Sequence, residues 1–319
     1  MAMNSSGEQI AGLQEVDDVD ELPEDGSYFV PDSTQGLECE KKNTSELFRA
    51  LAPRQLNRLP PDLLQAARDA LKIELAQLAD LHEDCDAWVT NDCLERYLRA
   101  EKGHVKSAAK RIAATLKWRQ EIRPEELQCQ ACMEDHRNHD ARFIGFDRSL
   151  RPCIYSCFAA SKGREPTALI THFIMLVESC CQKMQGAEAL VWIVDFRGFK
   201  VKDALDPRFS ISLVKLLQAH YPERMAHIVC IDAPAAFSGL WMAVKSLMDE
   251  KTRSKVLFFR EPRIAELFAA LFEEQIATFL EGECAKNRDK AALKATWAQP
   301  HKLPLPCCSP VPLPSQLRM

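Results

Sequence analysis

Two cysteines and two histidines stand close together near the middle of the chain, in Cys129-Gln-Ala-Cys132 followed by His136 and His139. Thiolates and imidazoles are the ligands that zinc prefers, and a C-x-x-C pair can also carry out redox chemistry. A zinc finger, however, needs about a dozen residues between its two ligand pairs. Only three residues separate Cys132 from His136. Because no thioredoxin-like βαβ unit surrounds the pair either, we expect a connector with incidental thiols and exposed histidines, and no metal site.

Serine hydrolysis is the second chemistry that the residues suggest. Ser238 follows a predicted strand and precedes a predicted helix, and His220 and Asp232 lie nearby in sequence. The G-x-S-x-G sequence that places a nucleophilic serine on a strained turn is missing. The glycine-rich phosphate loops of nucleotide-dependent enzymes are missing as well. We therefore expect no catalysis and no cofactor, while a hydrolase that uses Ser238 stays open as an alternative.

The elements that must position these residues fall into two regions. From Ser45 to Leu127 apolar residues recur at spacings of three and four, which predicts an all-α unit over residues 45–130. From Arg142 onward, short β-rich runs alternate with helix-length segments, and residues 131–285 are predicted to form one α/β domain. The apolar run from Ala189 to Val194 indicates a strand buried on both faces. The fold class is therefore α/β, a mixed and largely parallel sheet with flanking helices.

The two ends of the chain differ from this body in composition. The first 40 residues hold eleven acidic side chains and no Lys or Arg, which predicts an acidic disordered arm over residues 1–44. Residues 286–319 are expected to be a helical end and a tail with six prolines. No stretch reaches the ~18 residues of a membrane span, and no secretion signal is visible. We therefore expect a cytoplasmic protein whose thirteen cysteines are thiols.

One predicted helix, Ala235–Met248, is more apolar than the others. Lys245 stands apart from its apolar stripe. Such a stripe is typical of a core-facing helix, but it also suits a helix that closes an apolar cavity and meets a membrane. Periodicity alone leaves both interpretations open. The residues of the stripe are Phe237, Leu240, Trp241, Val244 and Met248.

Three blocks of sequence, taken in order, resemble the CRAL-TRIO lipid-binding family. The prototypes of this family are the phosphatidylinositol/phosphatidylcholine transfer proteins and the tocopherol and retinaldehyde carriers. The resemblance extends from about Leu47 to Glu281. The blocks are Leu94-Glu-Arg-Tyr-Leu-Arg-Ala-Glu-Lys102, Trp192-Ile-Val-Asp-Phe-Arg-Gly198, and His220-Tyr-Pro-Glu-Arg-Met225 with Thr252-Arg-Ser-Lys255.

The resemblance implies a helical N-lobe packed on an α/β lobe whose sheet is the floor of a lipid cavity. The gate helix that closes such a cavity in the family matches Ala235–Met248. The implied function is to bind a single phospholipid or other hydrophobic small molecule and to exchange it with membranes, without catalysis. We expect the protein to be peripheral on membranes, with transient contact. We also expect a monomer with no nucleic-acid partner.

The resemblance also assigns head-group residues. In the phosphoinositide-transferring branch, a glutamate of the Tyr-Pro-Glu-Arg motif and a lysine after the gate bind inositol, and an Arg-Lys pair in the N-lobe holds the phosphate. Glu223 and Lys255 match the first two positions. Lys102 matches the lysine of the pair, beside Glu101 where the family has arginine. A phosphatidylinositol-type ligand is therefore favoured.

Two other assignments stay open. In the hydrophobic-vitamin branch, basic residues near Arg224, Lys251 and Lys255 contact a membrane inositide, so a carrier of an isoprenoid or vitamin-like ligand is an alternative. Leu190 and Trp192 replace two residues that contact phosphatidylcholine in the prototype. This replacement disfavours a choline lipid. If the same two side chains fill the cavity, the protein would instead be a non-transferring scaffold.

Overall fold

The computed structural model describes residues 49, 51–53, 57–78, 88–184 and 186–298, of which 296–298 are described without side chains. The acidic arm predicted for residues 1–44 and the Pro-rich tail lie outside these residues. The described part consists of a helical N-lobe and an α/β lobe built on one five-stranded sheet. The predicted fold class is confirmed.

In the described residues, the N-lobe contains three helices: α1 (Pro61–Leu75), α2 (Asn91–Ala100) and α3 (Val105–Ile122). Proline is favourable in the first turn of α1, and the Thr90 side chain caps α2 by accepting a hydrogen bond from the Cys93 amide. The apolar faces of the helices meet in a core that includes Tyr97 and Ile112. The periodicity of the sequence predicts this lobe, and its limits at 45 and 130 stay a prediction.

The sheet is mixed, with strands in the order in which they occur along the chain. The first two strands are antiparallel, and every later neighbouring pair is parallel. A hairpin turn that contains Asp147 joins the first two strands. The carboxylate of Asp147 accepts hydrogen bonds from the amides of Ser149 and Arg151, each at 2.9 Å, and so fixes the turn. The strands are β1 (Ala141–Phe146), β2 (Pro152–Cys157), β3 (Leu190–Asp195), β4 (Met225–Ile231) and β5 (Val256–Phe259).

Helices cover both faces of the sheet. One face is packed by α10 (Ile264–Leu271) and α11 (Glu274–Arg288). The other is covered by α5 (Pro166–Gln182), α7 (Arg208–His220) and α8 (Ser238–Lys245), which a short 3-10 turn precedes. Among the described residues, none of the helices combines the length and apolarity needed to cross a bilayer. The remaining helices are α4 (Gln130–Glu134), α6 (Val201–Leu205), α9 (Glu250–Arg253) and α12 (Lys290–Ala298).

Candidate functional site

A cavity of about 390 Å³ lies between the sheet and helices α5, α7 and α8. Ligand pockets in proteins occupy roughly 300–1,000 Å³, so this one is near the small end of the range. Its wall is mostly apolar. Because side chains alternate across a strand, every second residue of the central strands faces the cavity. These residues include Trp192, Val194, Ile228, Cys230 and Val256.

The apolar stripe predicted for the gate helix lines this cavity. Its residues are buried, whereas Met242 and Ala243 on the other side of α8 are exposed. The stripe therefore faces inward, and the core-facing and cavity-closing interpretations apply to the same surface of the helix. That α8 opens as a gate stays a prediction. The stripe residues in the wall are Phe237, Leu240, Trp241, Val244 and Met248.

Aromatic contacts and a hydrogen bond hold α8 in place. The ring of Phe237 lies 4.7 Å from that of Phe196, and the ring of Trp241 lies 5.2 Å from that of Phe258, measured between centroids. Such pairs contribute about 0.5–1.5 kcal/mol each beyond the area that they bury. After the end of α8, the side-chain amide of Gln218 donates to the carbonyl of Leu247 at 2.9 Å. These contacts are individually weak and can break and re-form.

Polar side chains line the cavity beside α6. Arg164 lies there with Lys202 and Asp203. The Arg164 guanidinium donates to the carbonyls of Phe158 at 2.6 Å and Gly163 at 3.0 Å, and its Nε lies 3.5 Å from Asp203. Burial lowers the pKa of Arg164, although an arginine stays charged in proteins. This polar group could not be predicted from the sequence, because neither a motif nor the family resemblance includes it.

Three large apolar side chains lie exposed on the neighbouring helices α6 and α8. Val201 and Leu205 of α6 are 63% and 77% exposed, and Met242 of α8 is 56% exposed. Helix α6 packs against α8 and the turn that precedes it. Single exposed apolar residues are common. In this protein, however, the three exposed apolar residues belong to two helices that contact each other.

Two of the predicted head-group residues, Glu223 and Lys255, come together at the protein surface with Lys251, a predicted membrane contact. We call these three residues the Glu223 cluster. The ammonium of Lys251 donates to Glu223 at 2.5 Å, and that of Lys255 lies 3.5 Å from the other carboxylate oxygen. Burial acts to raise the pKa of Glu223. The charges of Lys255 and Lys251 outweigh it, so the pKa is lowered. None of the three belongs to the residues that line the cavity.

The remaining predicted head-group residue, Lys102, and the other predicted membrane contact, Arg224, lie elsewhere. Arg224 donates to the carbonyl of Glu188 at 3.0 Å and so links the start of β4 to the segment before β3. Lys102 is exposed in the turn between α2 and α3, where its neighbour Glu101 pairs with Arg111 at 2.6 Å. No described contact joins either residue to the Glu223 cluster, and their roles in binding stay predictions.

Two family models match the chain. The model of the CRAL/TRIO domain matches residues 140–282, and that of the CRAL/TRIO N-terminal domain matches residues 62–114. Together they cover more than half of the sequence. The chain belongs to the CRAL-TRIO family. The match to the N-terminal domain covers the three helices of the N-lobe in large part, and the larger match contains all five strands.

Among the curated CRAL-TRIO relatives is a CRAL-TRIO domain-containing protein of Schizosaccharomyces pombe, 28% identical over 76% of this chain and 24% of that protein. Another is the phosphatidylinositol transfer protein PDR17 of Saccharomyces cerevisiae, 26% identical over 54% of this chain and 53% of that protein. This chain thus spans about a quarter of the length of the first relative and about half of the length of the second. The crystal structure of Sfh5 matches 80% of this chain and 98% of its own, with a TM-score of 0.50 and 13% identity, which is a likeness of fold alone.

The two departures from the CRAL-TRIO prototype have different surroundings. The indole of Trp192 lies in the cavity wall, where its N–H donates to the hydroxyl of Ser156 at 2.9 Å and its ring is 4.6 Å from that of Phe173. Leu190 is buried in the cluster around α5 and is not one of the lining residues. Trp192 therefore narrows the cavity of this CRAL-TRIO lobe without closing it.

The three residues of the imagined hydrolase triad make their contacts in different places. His220 stacks on Trp118 with 4.3 Å between ring centroids, and its Nδ1 lies 3.2 Å from the Thr115 hydroxyl. Asp232 accepts a hydrogen bond from Arg288 at 2.5 Å. Ser238 is exposed at the start of α8. The contacts of the described residues thus give the hydrolase alternative no support.

The segment with two cysteines and two histidines differs from its prediction. Cys129, Cys132 and His139 are buried, and His172 of α5 joins them in what we call the Cys/His cluster. Hydrogen bonding, first of all to Cys132, lowers the pKa of the Cys129 thiol in spite of its burial. The expectation of an exposed His139 is wrong because the connector folds onto α5. His172 is missed by sequence spacing because it lies on another element.

Proposed function

We propose that this CRAL-TRIO chain holds one hydrophobic molecule in its cavity and exchanges it with membranes. The observation that carries this proposal is the apolar cavity of about 390 Å³ under α8. Moving a hydrocarbon chain out of water contributes about 0.8 kcal/mol per CH₂. Binding from a bilayer therefore requires a wall as apolar as the bilayer interior, and the wall formed by the sheet and α8 meets this requirement.

Exchange requires an open form that the membrane favours over the closed one, because a surface shifts such an equilibrium only through its different affinity for the two forms. Opening of α8 would expose its apolar stripe, which the bilayer can bury. Val201, Leu205 and Met242 are already exposed beside this helix. They are the proposed first contact with the membrane. We place the protein in the cytoplasm and transiently on membranes, as a monomer.

Phosphatidylinositol-type lipids are the proposed ligands. PDR17, one of the relatives, is a phosphatidylinositol transfer protein. The Glu223 cluster offers one acceptor for ring hydroxyls and two ammonium groups for a phosphate. Lys251 is 46% exposed and can turn toward a phosphate without first leaving the protein interior. Because the cluster lies outside the closed cavity, we propose that it engages the head group when α8 is open.

An isoprenoid or other single-chain ligand is the second candidate. The closed cavity is near the small end of the range for ligand pockets, which suits one hydrocarbon chain better than two. In that case the basic residues of the Glu223 cluster would contact a membrane lipid, and the cargo would lie in the cavity. A scaffold without cargo is the third possibility, and the open space beside Trp192 argues against it.

The first experiment identifies the cargo. The chain is purified, its bound molecules are extracted, and mass spectrometry identifies and counts them. We expect about one lipid per chain in the wild type and a strong loss in Val194→Trp, whose larger ring fills the cavity. Val194→Ala, which enlarges the cavity at the same position, should keep the lipid. A wild-type chain that neither retains nor takes up any lipid or isoprenoid would refute the proposal.

The second experiment tests the head group by measuring transfer of phosphatidylinositol between vesicles. Lys255→Gln and Glu223→Gln should each slow this transfer about tenfold, since a hydrogen bond to a charged group contributes about 1.5–3 kcal/mol. Arg253→Gln is the matched control, because it removes one positive charge from an exposed residue of α9 that has no predicted role in binding. If transfer is unchanged in both variants while Val194→Trp abolishes it, the cavity is correct and the head-group assignment is wrong.

A further inference from the structure

The Cys/His cluster has the geometry of a metal site. The Sγ atom of Cys132 lies 3.3 Å from Nδ1 of His139 and 3.4 Å from Nδ1 of His172, and the Sγ atom of Cys129 lies 3.4 Å from Nδ1 of His139. The four potential ligand atoms lie within 4.8 Å of one another. Zinc bonds of about 2.3 Å to sulfur and about 2.0 Å to nitrogen, at tetrahedral angles, separate sulfur from nitrogen by roughly 3.5 Å.

We propose that Cys129, Cys132, His139 and His172 bind one zinc ion. The match between the observed and the required separations means that the ion can enter with little movement of its ligands. A tetrahedral set of two thiolates and two imidazoles is the combination that favours zinc among the divalent metals available to a protein. On binding, the two thiols give up their protons and two neutral imidazoles supply lone pairs, so two protons leave for each ion taken up.

The surroundings of the cluster fit a structural ion. All four residues are between 2% and 4% exposed, so four protein ligands close the site without a position for water. Nε2 of His172 lies 2.8 Å from the carbonyl oxygen of Ala141. That carbonyl can only accept, which places the proton on Nε2 and leaves Nδ1 free to bind the metal. Such an outer hydrogen bond to a carbonyl is the usual way in which a metal-binding histidine is oriented.

A disulfide between Cys129 and Cys132 is the competing fate of the same residues. Its formation would remove two electrons and two protons from the two cysteines, and neither histidine would take part in it. The nitrogen atoms of both histidines are directed at the sulfur atoms from two other elements, which a disulfide does not require. The convergence of the four residues therefore favours the metal.

The site joins three parts of the chain at the wall of the cavity. The two cysteines lie at α4, His139 precedes β1, and His172 is on α5. Both histidines also line the cavity. One ion would thus fix the connector from the N-lobe to the sheet against α5 and brace this end of the cavity. This inference is independent of the proposed lipid binding.

The test measures the metal content of the full-length chain, purified without a metal-affinity step, by elemental mass spectrometry. We expect about one zinc per chain. Cys132→Ser and His172→Gln should lower the affinity at least about tenfold, since even outer-shell changes cost that much. His136→Gln, in the same segment, and Cys180→Ala, a buried cysteine of α5, are the matched controls and should retain the ion.

A second measurement does not depend on the folding of variants. Removal of the ion from the wild type with a chelator should lower its melting temperature, and zinc but not magnesium should restore it. Cobalt in place of zinc should give the visible absorption bands of a tetrahedral thiolate site. A chain with no metal and a quantitative Cys129–Cys132 disulfide would overturn the proposal in favour of a redox pair. Equal loss of zinc in the control variants would overturn it too.

Discussion

The two faces of the sheet are built from alternate residues of the same strands, yet one is solid and the other is hollow. Val191, Ile193 and Phe259 point into a core that α10 and α11 fill. Trp192 and Val194, their neighbours in sequence, point to the side where the cavity lies. The packed face can supply rigidity, while the cavity on the hollow face leaves room for the proposed ligand. One sheet can thus serve both purposes, because successive side chains along each strand point to opposite faces.

The helices explain the difference between the faces. Phe268 of α10, Leu280 of α11 and Phe272, which directly follows α10, are fully buried large side chains in the core on this face of the sheet. On the other face α8 is short and follows a 3-10 turn, and its contacts include a few aromatic pairs. We expect changes on the packed face to alter mainly stability, and changes on the hollow face to alter mainly cargo.

Two adjacent phenylalanines of β5 provide the largest contrast. Phe259→Ala should lower the free energy of unfolding by about 3–5 kcal/mol, because the packed face cannot collapse into the space. Phe258→Ala, its matched partner on the hollow side, should cost less, since the neighbouring helix α8 can adjust. Urea unfolding of both variants measures the difference. Equal losses would mean that the two faces are equally rigid.

Two valines of β3 sharpen the comparison with a smaller change. Val191→Ala removes two methyl groups from the packed face and should cost about 1–2 kcal/mol, at about 0.8 kcal/mol for each buried carbon. Val194→Ala removes the same atoms from the cavity wall, where one side is already open, and should cost less than about 1 kcal/mol. Thermal and urea unfolding report both values. A larger cost for Val194→Ala would contradict the assignment of the two faces.

The hydrogen bond from Gln218 to Leu247 is predicted to slow opening of the hollow face. Gln218→Met keeps most of the side-chain volume but removes this bond, which contributes about 1 kcal/mol. Lipid exchange should therefore speed up about fivefold, and the free energy of unfolding should fall by no more than about 1 kcal/mol. Gln65→Met, which loses only a surface contact of the N-lobe, is the control. An unchanged exchange rate would show that this bond does not restrain α8.

A pH-dependent effect is expected from the brace that the N-lobe gives to the hollow face through His220 at the end of α7. Burial, followed by the charges of Arg111 and Arg119, lowers the pKa of His220 to about 4. In the unfolded chain the pKa is about 6.5. Between these values the unfolded chain binds more protons, so stability falls as the pH falls through this window.

Substitution of His220 tests this brace. His220→Gln should lose less stability than the wild type between pH 7 and pH 4.5, as measured by urea midpoints at several pH values. The midpoints of the packed-face variant Val191→Ala should keep the wild-type pH dependence. If His220→Gln also keeps the wild-type pH dependence, another group is responsible for that dependence.

Much of the fold can be predicted from local patterns, but the cavity cannot. The apolar run of β3 shows that both sides of the strand are buried, and it contains nothing that distinguishes a filled side from a hollow one. The apolar stripe of α8 is visible in the sequence as a periodic pattern. Its inward orientation, however, depends on neighbours that are distant in sequence. Helices α4, α6 and α9 are too short to show a period at all.

The candidate sites were predictable to different degrees. Glu223, Lys251 and Lys255 follow from the family resemblance, and the structure brings these residues together. His172 could not be connected with Cys129 and Cys132, because the ligands meet only after α5 has packed on the connector. The exposure of Val201 and Leu205 likewise depends on which side of α6 meets the protein. Local sequence therefore predicts elements better than it predicts surfaces shared between them.

The wall of the cavity contains two of the chain's five tryptophans, Trp192 and Trp241. Their intrinsic fluorescence should depend on what lies beside them, because the emission of an indole shifts with the polarity of its surroundings. A polyene or a dansyl-bearing cargo would quench it by energy transfer. The protein therefore carries its own optical reporter, and loading and release can be followed in real time without a label on the chain.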